Sequence, residues 1–152
     1  MNTSRTLNVE IIKAPDPVLS FVSEEVTEIT EDTVNLVAQM GLVMYQNGGV
    51  GLAANQIGIV QRIFVYHLDD GVLRAVINPK IVSFSGTQYG EEGCLSIPDK
   101  SWEIKRHDTV NLIGLDLNGN VVEKEASGIE AVIFQHEIDH LDGITLQERR
   151  KN

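Results

Sequence analysis

The stretch Gln135-His136-Glu137-Ile138-Asp139-His140-Leu141-Asp142-Gly143 has the spacing of a reactive metal site. On an α-helix, residues four apart lie nearly above one another, so His136 and His140 can turn two imidazoles toward one ion. Glu137 stands one residue on, about 100° round the helix. From there it is better placed to reach a water on the ion than to become a third equivalent ligand. The competing reading is a helix whose histidines are hydrogen-bonded and whose Glu137 is solvated. A third ligand elsewhere decides between the two.

Two helical histidines leave a tetrahedral ion two positions short, and a catalytic site keeps one of those open for water. No histidine follows within Leu141 to Asn152, and Glu148 is too near the helix to fold back. Cys94 remains. It is the only cysteine, it stands between Gly93 and a short extended run, and a thiolate is a strong ligand for Zn²⁺, Fe²⁺, Co²⁺ or Ni²⁺. On its own, a lone cysteine is more commonly a small buried hydrophobe.

These residues need elements to position them. Ser127 followed by Glu130 reads as a capping box, after which Ile129, Val132, Ile133, His136 and His140 recur at helical spacing until Gly143 stops the helix. Thr30 reads as the N-cap of an earlier helix, with Val34, Val37, Met40 and Met44 as its packing stripe and Asn47-Gly48-Gly49 as its end. Gly49 to Gly58 breaks the pattern, its glycines letting backbone approach another strand or a ligand. The stretch lacks the Gly-Lys-Ser/Thr of a phosphate loop.

Between these helices the sequence predicts strands over Ile63 to Leu68, Val72 to Ile77 and Lys80 to Phe84. Pro98 marks a strand start, an edge or a loop. Asn118-Gly119 predicts a type I′ hairpin joining Thr109–Leu117 to Asn120–Ala126. The expected fold class is α+β, with antiparallel strands wrapped around a central metal-binding helix and residues 1–152 forming one domain. His67 and His107, with no matching partner, read as exposed.

Composition narrows the function classes. At 42% hydrophobic and 22% charged residues the chain reads as an ordinary globular protein. Twelve basic against 22 acidic side chains give a net charge of −10, which repels phosphate backbones and anionic lipid. Neither direct nucleic-acid binding nor membrane association is expected. No apolar run approaches the length needed to span a bilayer, and a single cysteine permits a reducing, cytoplasmic setting.

Three segments together resemble the motifs of the peptide deformylases, in that family's order: Gly49-Val50-Gly51-Leu52-Ala53-Ala54-Asn55-Gln56, Glu92-Gly93-Cys94-Leu95-Ser96 and Gln135-His136-Glu137-Ile138-Asp139-His140. The likeness runs from about Ile11 to Gly143. It implies a monomeric cytoplasmic enzyme that removes the formyl group from N-formyl-methionyl peptides, as ribosome-nascent chains, by metal-assisted hydrolysis. By resemblance Cys94, His136 and His140 bind the metal, with Fe²⁺ as the native ion and Zn²⁺, Ni²⁺ or Co²⁺ as alternatives. Glu137 is then the general base and acid, and Gln56 and the Leu95 N–H are the oxyanion donors.

On the same reading, extended segments at Gly49, Val50 and Gly51 and at Glu92 and Gly93 pair with the peptide. Val50, Ile129, Val132 and Ile133 receive the methionine side chain. Arg106 either orients Glu92 or is an ordinary surface arginine. Many bacterial members continue into a further helix or strand after the last motif, so the chain resembles a shortened variant. A metallopeptidase acting on ordinary amides and a non-catalytic metal- or peptide-binding module are the competing functions. Cys94 weighs against the first, because a thiolate makes the metal a poorer Lewis acid. Glu137 and Gln56, which a purely structural site does not need, weigh against the second.

Overall fold

The structure is a computed structural model in which residues 9–150 are described. Helix α1 spans Glu31–Gln46, with Thr30 in extended conformation before it and Glu31 and Asp32 in its first turn. The Thr30 N–H donates to Thr33 Oγ1 at 3.1 Å, and the two acids sit where the helix dipole favours negative charge. Val37, Met40, Val43 and Met44 form the buried face. Val34, at 44% exposed, turns away from the expected stripe.

Strands β1 (Gly51–Ala53), β2 (Ile63–Tyr66), β3 (Arg74–Ser85), β6 (Thr109–Leu115) and β7 (Val121–Ser127) form one sheet in the order β1-β2-β3-β6-β7, antiparallel throughout. All four residues of β2 are buried, because both faces of the sheet are covered there. Ile63 and Val65 pack with Val37 and Met40 of α1. Phe64 and Tyr66 pack with Phe134 and Leu141 of α2 (Gly128–Leu141), and the Tyr66 and Phe134 rings meet edge-on at 5.2 Å.

The strand predictions on either side of Asn78-Pro79 merge into one twelve-residue strand, β3. Proline cannot donate to the ladder, so the pairing with β6 slips between Ile77 and Lys80 instead of ending. Asn78 takes a positive φ of 53° at this slip. Its amide accepts from Val26 N–H at 2.8 Å and donates to Val26 O at 2.9 Å. The β6–β7 hairpin forms, but its turn is not type I′. Only Gly119 has positive φ, and Asp116 Oδ1 accepts from the N–H groups of Asn118 and Asn120.

Strands β4 (Gln88–Cys94) and β5 (Ile97–Arg106) form a separate two-stranded sheet. It packs against the short helix α3 (Leu146–Arg149) and is joined to α2 by side-chain bonds, Arg106 to Asp139 and Glu92 to His136. Helix α2 starts at Ser127 without the expected capping box: the Glu130 carboxylate accepts from Tyr66 Oη at 3.1 Å and pairs with Lys124 at 3.2 Å. A buried phenol and a nearby ammonium compete for that carboxylate more effectively than a backbone N–H at the helix end. The stop is as expected. Gly143 has φ +75°, and its N–H donates to His140 O at 3.0 Å.

A Cβ at Gly143 would lie 2.6 Å from the backbone oxygen of Ser20, in addition to the strain of positive φ. Gly143→Ala is therefore expected to destabilise the fold by roughly 1–3 kcal/mol. The check is a lower midpoint in urea unfolding with an unchanged slope.

Candidate metal centre

Helix α2 carries His136 and His140 on the side facing the β4–β5 turn, where Cys94 ends β4. One ligand atom from each of Cys94, His136 and His140 lies within 4.8 Å of the others, and Cys94 Sγ is 3.3 Å from His140 Nε2. His140 is buried and His136 nearly so, its side chain 12% exposed. The imidazoles thus face the sulfur across a small gap, as the four-residue spacing requires.

Glu137 lies alongside, 4% exposed. Burial raises its pKa to about 7, and its Oε1 has no hydrogen-bond partner among the described residues. Gly51 makes room for it: a Cβ there would stand 2.6 Å from Glu137 Oε2. The sequence reading had that glycine admitting substrate backbone. In the fold it also admits this carboxylate.

Gln56 is buried at the end of the segment that follows β1. Its Oε1 accepts from Ala53 N–H at 3.0 Å, which turns the amide nitrogen toward Ser96 Oγ at 3.0 Å and Cys94 Sγ at 3.6 Å. The Ser96 N–H also donates to the sulfur at 3.4 Å. Leu95 follows Cys94 in the turn between β4 and β5. The sequence reading missed Asn55, whose Nδ2 donates to His140 O at 2.7 Å and ties the glycine-rich segment to α2. It also missed Ser96, which steadies Gln56. Only their place inside the motifs marked either one.

Behind the centre lies a buried charge network. His136 Nδ1 is 2.9 Å from Glu92 Oε1, and both Glu92 oxygens accept from Arg106, through Nη2 and Nε at 2.9 Å each. Arg106 also donates to Asp139 Oδ2 at 2.6 Å. Burial opposes the charge on Glu92, but the bonds from Arg106 and His136 outweigh it and hold the carboxyl at about 2. Burial likewise opposes charge on His136, yet Cys94 and Glu92 hold its pKa up, at about 10. His140 is driven the other way, by burial and by the neighbouring charges of His136 and Arg106. Of the two readings of Arg106, the buried one that orients Glu92 is correct.

A cleft of about 570 Å³ opens in front of the centre. Gly49, Val50, Gly51, Gln56, Glu92, Gly93, Cys94, Leu95, Ile129, Val132, Ile133, His136 and Glu137 all line it. Val50 and Ile129 are 52% and 69% exposed at its mouth, whereas Ile133 belongs largely to the core. The Glu92 carboxylate is committed to Arg106 and His136, so only its backbone is free for a ligand. Lys13, Asn47, Gly48, Ile97, Pro98, Asp99 and Lys100 also line it. His67 is not exposed as expected: it is half-buried, with its ring nitrogens 2.8 and 3.0 Å from the carbonyls of Leu68 and Gly49. His107 is also half-buried, stacked on Phe84 at 3.7 Å.

One sulfur and two imidazoles around a common point, with a donor amide on the sulfur and a buried carboxylate beside it, fit a divalent cation. With an open cleft in front and an antiparallel sheet at its back, this arrangement defines a metal-dependent hydrolase. Comparison with known proteins makes the class particular. Residues 8–152 match the family described as Polypeptide deformylase.

Peptide deformylase 1 of Corynebacterium efficiens is 45% identical over 138 residues, covering 88% of this chain and 82% of that protein. The peptide deformylase of Caldanaerobacter subterraneus is 44% identical over 139 residues, covering 91% and 87%. Among solved structures, the Thermotoga maritima peptide deformylase superposes with a TM-score of 0.90 at 39% identity, over 93% of this chain and 96% of that one. The Synechococcus elongatus enzyme, in complex with actinonin, gives 0.92 at 34% identity over 95% and 80%. The chain belongs to the polypeptide deformylase family, whose members are metalloenzymes.

Arg106→Met would leave the buried Glu92 with His136 alone and Asp139 with Arg149 alone. It is expected to lower stability by roughly 1–3 kcal/mol, read as a fall in the denaturation midpoint.

Proposed function

We propose that the chain removes the formyl group from the N-terminal formyl-methionine of nascent polypeptides, with Cys94, His136 and His140 holding one divalent ion. When bound, such an ion lowers the pKa of a coordinated water and polarises the formyl carbonyl. Fe²⁺ is the proposed native ion, and the same donors suit Zn²⁺, Ni²⁺ and Co²⁺.

The reading is carried by the placement of Glu137: a carboxylate beside the ligand cluster, buried, with one oxygen unpaired among the described residues. From there it takes a proton from the attacking water and returns it to the departing amine. Gln56 donates from Nε2, since its Oε1 is already engaged by Ala53 N–H, and the Leu95 N–H supplies a second donor to the developing oxyanion. The substrate backbone lies extended between Gly49–Gly51 and the Glu92–Gly93 edge of β4, as an added strand. Val50, Ile129, Val132 and Ile133 take its methionine side chain, which suits a soft apolar pocket.

The enzyme works as a cytoplasmic monomer on chains emerging from the ribosome. Its charge of −10 disfavours direct contact with nucleic acid, and among the described residues no helix is long and apolar enough to cross a membrane.

Anaerobic turnover of formyl-Met-Ala peptides with Fe²⁺ or Ni²⁺, run beside the unformylated peptide, tests the reaction. Release of formate alone is expected, whereas cleavage of the internal amide would make the chain a peptidase. Glu137→Gln is expected to keep the cation and lose roughly 10²–10⁴-fold in kcat. Gly51→Ala, which pushes on the same carboxylate without touching a ligand, is expected to cost on the order of 10²-fold. Steady-state kinetics with metal content measured in parallel separates these effects from loss of the ion.

A further inference from the structure

Glu92, which fixes His136, is the inner end of a longer chain of charges. Arg106 donates to Glu92 with two nitrogens and to Asp139 with the third. Asp139 in turn accepts from Arg149, through Nη2 at 2.6 Å and Nε at 3.1 Å. Signs alternate from Arg149 through Asp139 and Arg106 to Glu92, which holds the His136 ring. Side-chain exposure falls from 32% for Arg149 to 13% for Asp139 and 3% for Arg106, then rises to 8% for Glu92 and 12% for His136.

We propose that Arg149, in the last turn of α3, is a positioning residue that sets how firmly Glu92 holds His136, and with it the affinity of the centre for a divalent cation. Asp139 is shared between two guanidinium groups, and Arg106 between two carboxylates. Without Arg149, the Asp139 charge leans on Arg106 alone and draws it away from Glu92. The His136 ring then loses part of its constraint, and a less organised ligand binds its ion more weakly. The inference rests on the ligand assignment made under the proposed function.

Helix α3 does not depend on this side chain for its place. Leu146 is 3% exposed, and Thr145 Oγ1 accepts from Glu148 N–H at 3.4 Å. Truncating Arg149 therefore removes the fork and leaves the turn that carries it. Arg150 is the natural control, an adjacent arginine whose guanidinium lies 5.6 Å from the centre of the Trp102 ring.

The test measures Zn²⁺ and Co²⁺ affinity of the metal-free chain, by competition with a chromophoric chelator, for wild type, Arg149→Met, Arg149→Lys and Arg150→Met. Thermal melts and formyl-Met-Ala kinetics accompany it. Arg149→Met is expected to weaken cation binding roughly tenfold and to lower kcat with little change in KM. Arg149→Lys restores part of the loss, because an ammonium keeps the charge without the two-pronged bond. Arg150→Met matches wild type. In a Glu92→Gln background the Arg149 change adds nothing, since the path is already cut.

Wild-type cation affinity in Arg149→Met, an equal loss in Arg150→Met, or full additivity with Glu92→Gln would overturn the proposal. A wild-type chain that binds the cation yet releases no formate would instead refute the reaction, leaving the affinities to judge Arg149.

Discussion

The centre depends on a buried guanidinium. The β4–β5 hairpin, which brings Cys94, shares no backbone ladder with the five-stranded sheet, so its position against α2 is set by side chains. Arg106 joins the two, reaching Glu92 on β4 and Asp139 on α2. Taking these charges out of water is costly, and the cost is met by geometry: a two-pronged bond to one carboxylate, a third short bond to another and an imidazole on Glu92. Gln135 adds a second tie, accepting from His107 N–H and donating to His107 O at 2.9 Å each. With these fixed, sulfur and imidazoles have little choice of where to meet.

The local chemistry of the site was legible because helical spacing is a property of sequence. His136 and His140 had to share a face, Glu137 had to stand beside them, and Gly143 had to end the helix. Elements whose form depends on distant partners were not legible. Glu130 offered a capping box but found Tyr66 and Lys124, brought in by the sheet. Asn78-Pro79 reads as a break, yet the Val26 backbone ties the Asn78 amide and the strand carries on through it. Asn118-Gly119 reads as a type I′ turn, but the Asp116 side chain gathers two backbone N–H groups and selects another form. His67 and His107 looked idle only because their partners lie across the fold, at Gly49 and Phe84.

The first motif acquires its meaning only in three dimensions. As sequence, Gly51 and Gln56 mark a tight stretch next to small residues. In the fold, Gly51 leaves the volume occupied by the Glu137 carboxylate, and Gln56 spends its oxygen on Ala53 so that its nitrogen faces the sulfur. Asn55 ties the same stretch to the carbonyl of His140. One short segment thereby spaces the carboxylate, orients a donor and braces the helix, so its residues are constrained together.

The separateness of the two-stranded sheet has a consequence for how the molecule holds together. On the proposed ligand set, an ion held by Cys94 and His140 would tie positions 46 residues apart and close the chain between them into a ring. Closing so long a segment removes many conformations from the unfolded ensemble, as a cross-link does, and so favours the native state. A cation bound there would be mortar as well as reagent, holding the hairpin to the helix behind it.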